Sequence, residues 1–170
     1  MSEEQPINTH TIAALVDNEA GVLARVIGLF SGRGYNIDSL TVAEVNEDEH
    51  MSRITIVTTA TPQVINQIKA QLQRLVPVHR VVDLTVETDS VERELALVKV
   101  TGKGNDRVEA LRMSEAFRAR VIDATPESFV FEITGNTAKI DAFIGLMVPL
   151  GLQEVSRTGV AAIARGPERM

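Results

Sequence analysis

The chain has 170 residues, 44% hydrophobic and 24% charged, a globular composition far from that of a disordered segment. Seventeen Lys and Arg against 23 Asp and Glu give a net charge of −6, which leaves no positive field for a nucleic-acid partner, and the absence of Cys excludes disulfides, thiolate metal sites and Cys nucleophiles. The acidic, polar start MSEEQPINTH is unlike a signal peptide and no run approaches ~18 apolar residues, so a soluble, cytoplasmic protein with no membrane partner is expected.

Thr11 to Val16 is a short apolar run closed by Asp17-Asn18, which predicts a strand and a turn. Val22, Leu23, Val26, Ile27, Leu29 and Phe30 recur at helical spacing, and Gly32-Arg33-Gly34 supplies the stop. Tyr35 to Val45 alternates as a strand, but Ile37 is out of phase with Leu40 and Val42, which predicts a bulge near Asp38-Ser39. Asn46 to Glu49 reads as a hairpin loop and Met51 to Thr58 as the returning strand. Thr61-Pro62 forms an N-cap with Pro in the first helical position. Ile65, Ile68, Leu72 and Leu75 then mark a buried helix face, Pro77 its end, and Val78 to Val86 a fourth strand.

The pattern repeats. Glu94 to Val100 predicts a strand, Asp106 to Phe117 a helix, and Val121 to Thr125 with Phe129 to Thr134 a strand pair. A helix capped by Thr137 carries Ile140, Phe143, Ile144 and Met147, and Val155 to Ala164 forms a last strand. Each half is therefore βαββαβ. The fold class is α+β, two ferredoxin-like domains whose antiparallel sheets carry helices on one face, with residues 1–86 and 87–170 as the halves and Glu87 to Ser90 as the link. Each half, of about 80 residues, leaves one sheet face bare, so a homodimer that buries those faces or pairs sheet edges is expected.

Catalytic constellations are missing. His10, His50 and His79 have no metal-ligand spacing and are expected at the surface, and Glu47-Asp48-Glu49 lacks the pattern of a calcium loop, so no metal site is expected. Thr101 to Asp106 contains two glycines and a Lys before a helix but not the phosphate-loop spacing, and reads as a turn capped by Asn105 or Asp106. One Tyr and no Trp give an RNA-binding sheet nothing to stack bases on.

The sharpest local signal is Asp17 to Leu23, with Asn36-Ile37 after the helix. Gly21 stands where a helix begins, so an anion could meet unpaired backbone N–H groups there. Asn18 and Asn36 each donate and accept, which suits a zwitterion, and dimerisation could bring the two segments together. Equally, Gly21 reads as a close-packed helix start and Asn18 as a plain N-cap.

The segment NEAGVLARVIGLFSGRGYNIDSLTV closely resembles the opening of the small, regulatory subunits of acetolactate synthase, also called acetohydroxyacid synthase. The likeness continues through SRITIVT, VIDATPESFVFEITG, KIDAFI and SRTGVAAIARG, nearly the whole chain, with an ACT domain as its first half. It implies a subunit with no catalytic residues and no cofactor of its own, partnered by a large catalytic subunit that carries thiamine diphosphate, FAD and Mg²⁺. It further implies an ACT homodimer that binds a feedback effector, usually valine, between copies. The residues carried over are Asn18, Gly21, Val22 and Leu23 on one side, with Asn36 and Ile37 opposite. Pocket size alone discriminates by only about 1–3 kcal/mol per methylene, so leucine and isoleucine stay admissible. The alternatives are a free-standing amino-acid sensor controlling another enzyme or transcription, and an enzyme built on scattered carboxylates such as Asp38, Glu44, Asp123 and Glu132.

Overall fold

The structure, a computed structural model, describes residues 6–170; the first five residues of the acidic start, and with them most of the polar extension ahead of Thr9, lie outside the described residues. The chain divides into two compact units, one running to Val91 and taking back Ala161–Met170, the other Glu92–Val160.

The first unit is built from β1 (Asn8–Asp17), α1 (Val22–Gly32), β2 (Ser39–Asn46), β3 (Met51–Ala60), α2 (Pro62–Gln73) and β4 (Val78–Asp83). Its sheet has the order β2-β3-β1-β4 with every pairing antiparallel. The period-2 alternation aims Ile12, Ala14 and Val16 of β1, with Ile54 and Ile56 of β3, at one face. Val22, Val26 and Phe30 of α1 and Ile65, Ile68 and Leu72 of α2 close over them. Both helices lie on that one face, as the α+β reading requires. The N-cap of α2 is Thr61, whose side chain accepts from Val64 N–H, with Pro62 opening the helix.

Three local expectations change. Residues 35–38 are not strand: Tyr35 N–H bonds back to Phe30 O at 2.9 Å and β2 begins only at Ser39, so Ile37 is out of phase because it precedes the strand. The irregularity in β2 sits instead between Glu44 and Asn46. The fourth strand ends at Asp83, where Glu87 N–H turns back onto Asp83 O. The far face of the first sheet is also not bare. Thr11, Ala13, Thr55, Val57 and Val82 are buried, and Arg53 and Arg80, in register with Leu15 on that face, donate to Ala162 O and Arg169 O of the C-terminal segment.

The second unit contains β5 (Ser90–Val100, beginning in the first unit), α3 (Asn105–Ala116), β6 (Arg120–Ala124), β7 (Phe129–Gly135), α4 (Thr137–Met147) and β8 (Leu152–Arg157), in the order β6-β7-β5-β8. Ala96, Val98, Val100, Phe131 and Ile133 meet Ala110 of α3 and Ile140, Phe143 and Met147 of α4. Phe131 and Phe143 cross edge to face at 5.9 Å. The expected last strand is two strands, β8 and a separate β9 (Ala161–Ala164) that pairs with β5, and the N-cap of α4 is Asn136 rather than Thr137.

Candidate functional site

The turn from β1 into α1 is shaped by Gly21, the N-cap, at φ 88° and ψ −11°. That is left-handed backbone, which L side chains disfavour, while the space where a Cβ would sit has no atom within 4 Å. Glycine is therefore demanded by conformation and not by close packing. No side chain caps the helix. Val22 N–H reaches Glu19 O at a long 3.4 Å and Arg25 N–H takes Gly21 O at 3.0 Å, which leaves the amides of Leu23 and Ala24 at the solvent-facing, electropositive end of α1. Leu23 is itself 37% exposed, whereas Val22 points into the core. Asn18 is not the cap; it stands three residues earlier, exposed, and donates its backbone N–H to His50 O at 2.7 Å.

Asn36 and Ile37 follow α1. Gly34, at φ 70°, turns the chain off the helix, Ile37 packs half-buried against the first core, and Asn36 faces solvent. The buried Thr58 hydroxyl donates to Asn36 O at 2.6 Å. Within one chain, Gly21 and Asn36 lie at opposite ends of α1, a helix about 16 Å long at 1.5 Å per residue, so a protomer by itself does not bring the two groups together.

Sequence reasoning missed the residues that hold Asn36. Its amide nitrogen donates to Asp38 Oδ1 at 2.5 Å, the Thr59 hydroxyl donates to Asp38 Oδ2 at 2.7 Å, and Asp38 N–H bonds Val57 O. The Asn-x-Asp spacing was visible, but its meaning depends on Thr59 reaching over from β3.

Elsewhere, His10 is buried, not at the surface, and pairs through Nδ1 with the buried Asp83 at 2.7 Å. His79 pairs with Asp17 in the open at 2.6 Å. No group of three or more His, Asp or Glu among the described residues is placed to hold a metal. The α3 N-cap is Gly104, and no Asn or Asp side chain caps the helix. A Cβ on Gly102 would lie 2.3 Å from Leu150 O and one on Gly151 2.8 Å from Gly102 N, so these two glycines let two backbone turns touch. Among the described residues, no helix is long and apolar enough to cross a membrane.

A βαββαβ unit with an open, glycine-started first helix, followed by a second unit of the same topology, defines an ACT-like protein. A family model described as an AHAS small subunit-like ACT domain matches residues 12–80, and one described as the small subunit of acetolactate synthase matches residues 93–166. A probable acetolactate synthase small subunit of Archaeoglobus fulgidus is 44% identical over 160 residues, 94% of this chain and 99% of that protein. The acetolactate synthase small subunit of Mycobacterium bovis is 43% identical over 159 residues, 94% of each. The crystal structure of the acetolactate synthase small subunit from Thermotoga maritima superposes with a TM-score of 0.82 at 37% identity, covering 95% of this chain and 99% of that one. The chain belongs to the acetolactate synthase small-subunit family.

Proposed function

We propose that the chain is the regulatory subunit of acetolactate synthase in branched-chain amino acid biosynthesis: a cytoplasmic homodimer that binds and activates a large catalytic subunit and makes it sensitive to valine. Thiamine diphosphate, FAD and Mg²⁺ belong to that large subunit, which joins pyruvate to pyruvate or to 2-ketobutyrate, and no residue of this chain is assigned to them. The ACT domain, residues 1–86, binds the effector and dimerises; residues 87–170 carry the family's second domain, with the closing segment Ala161–Met170 returning to the first compact unit.

The observation that carries the reading is the relation between the α1 turn and β2. Asn18 N–H on His50 O ties the turn to the end of β2 nearest the hairpin, whereas Asn36 and Ile37 lead into the other end. β2 stands at the edge in the sheet order. A two-fold axis through the middle of β2 reverses the strand in the second copy, which sets the second copy's Asn36 and Ile37 beside this chain's Asn18, Gly21, Val22 and Leu23. The Leu23 and Ala24 amides then meet the effector carboxylate, the two asparagines its polar ends, and Ile37 and Leu23 its isopropyl group. Binding there shifts the assembly toward a less active arrangement, with a coupling of about 1–3 kcal/mol.

The test is acetolactate formation by the large subunit alone, with this chain, and with this chain plus valine. Activation by the chain and its reversal by valine are expected. No effect of the chain on the rate, and no complex between the two, would favour a free-standing amino-acid sensor.

A further inference from the structure

We propose that Asp38, held by Thr59, is a positioning residue that fixes Asn36 as a hydrogen-bond acceptor and so sets the direction in which an α-amino acid binds: ammonium at Asn36, carboxylate at the α1 amides. This inference rests on the effector site proposed above.

The polarity follows from proton counting. A carboxylate accepts and does not donate, so the group of Asn36 that faces Asp38 Oδ1 at 2.5 Å is the amide nitrogen. Asp38 Oδ2 takes the single Thr59 hydroxyl proton at 2.7 Å. The 2.9 Å contact between Thr59 and Thr9 hydroxyls is then donated by Thr9. The chain of donors runs Thr9 to Thr59 to Asp38, with Asn36 donating to the same carboxylate from the other side. Asp38 N–H on Val57 O and Thr58 Oγ1 on Asn36 O fasten both backbones to β3. Rotating the carboxamide by half a turn would set oxygen against oxygen, so the Asn36 oxygen is locked away from Asp38.

An outward amide oxygen answers an ammonium group and repels a carboxylate. The α1 end has the opposite character, amides and positive dipole, and selects the carboxylate. Each end of a zwitterion therefore has one acceptable partner. The negative charge of Asp38 adds attraction for the ammonium. A ligand with the same carboxylate and isopropyl group but a hydroxyl in place of the ammonium can donate to the carboxamide oxygen or accept from its nitrogen, so it is indifferent to the direction of Asn36.

The experiment is calorimetric titration of the full-length chain with L-valine and with 2-hydroxy-3-methylbutanoate, for wild type, Asp38→Asn, Thr59→Val and Thr59→Ser. Asp38 and Thr59 are exposed, so the variants keep the core intact. Valine affinity is expected to fall roughly tenfold or more in Asp38→Asn, the scale of one hydrogen bond to a charged group, and less in Thr59→Val. Hydroxy-acid binding should hardly change, so the preference for valine collapses, while Thr59→Ser keeps the wild-type preference. Wild-type valine binding with an unchanged preference in Asp38→Asn, or an equal loss of both ligands, would overturn the positioning role alone. Failure of wild type to bind valine would instead overturn the effector site itself.

Discussion

Asn18 donates its backbone N–H to His50 O at 2.7 Å, and this one bond anchors the turn before α1 to the hairpin between β2 and β3. His50 itself adopts φ 50°, so the hairpin holds a strained residue where it receives the turn. The glycine-started helix end is thereby fixed relative to the strand through which a second copy is proposed to pair.

Gly21→Asp is the direct probe of that helix end. Asp tolerates left-handed backbone better than most residues, the Cβ position is open, and a carboxylate suits a helix N-terminus, so the variant should fold with at most about 1–2 kcal/mol lost. Its carboxylate occupies the place of the effector's. Activation of the large subunit is expected to persist and valine inhibition to vanish; wild-type valine sensitivity in the reconstituted assay would mean the site lies elsewhere.

The proposed pairing through β2 can be probed at Val45, which is 52% exposed near the hairpin end of that strand. Val45→Lys places a charge on the edge strand, and desolvating that charge against the second copy disfavours strand pairing. Sedimentation should reveal a weakened dimer, and valine binding should become dependent on protein concentration.

Arg157 grips the buried Glu94 with two bonds of 2.6 and 2.8 Å and Asp141 with a third of 2.7 Å, and these contacts raise its pKa further above the ordinary arginine value. Arg157→Ala leaves Glu94 buried without a partner. A loss of about 2–3 kcal/mol is expected, reduced from the fully buried case because Arg157 is a third exposed. Lys cannot form the fork, so Arg157→Lys should recover little in a denaturant titration.

The helix caps differ in quality. Asn136 accepts from Lys139 N–H at 2.9 Å and Thr61 from Val64 N–H at 3.4 Å. Asn136→Ala should cost about 1 kcal/mol or slightly more, and Thr61→Ala less, when both are compared by chemical denaturation.

Most of the architecture is legible because it rests on periodicity. Val22, Val26 and Phe30 at helical spacing, and Ile12, Ala14 and Val16 at strand spacing, name the faces that meet in the first core. What escaped was set by contacts distant in sequence. His10 is buried because Asp83, 73 residues on, pairs with its Nδ1 at 2.7 Å. The first sheet's far face is covered because Arg53 captures Ala162 O, 109 residues away, a pairing no spacing rule contains. The site divides in the same way. Gly21 before a helical run was readable from local chemistry, but the acceptor role of Asn36 needed Thr59 across the sheet.

Complementation between two defective chains addresses the intersubunit site most directly. Gly21→Asp spoils the turn and Asn36→Leu the opposite side, so neither homodimer should bind valine. Mixed and refolded in equal amounts, they form heterodimers in which one of the two interfaces pairs an intact Gly21 turn with an intact Asn36. Calorimetry of the mixture is expected to recover roughly a quarter of the wild-type sites at wild-type affinity, from the statistics of random pairing in a two-fold dimer. No recovered binding, from chains shown by sedimentation to have exchanged, would contradict a site shared between copies.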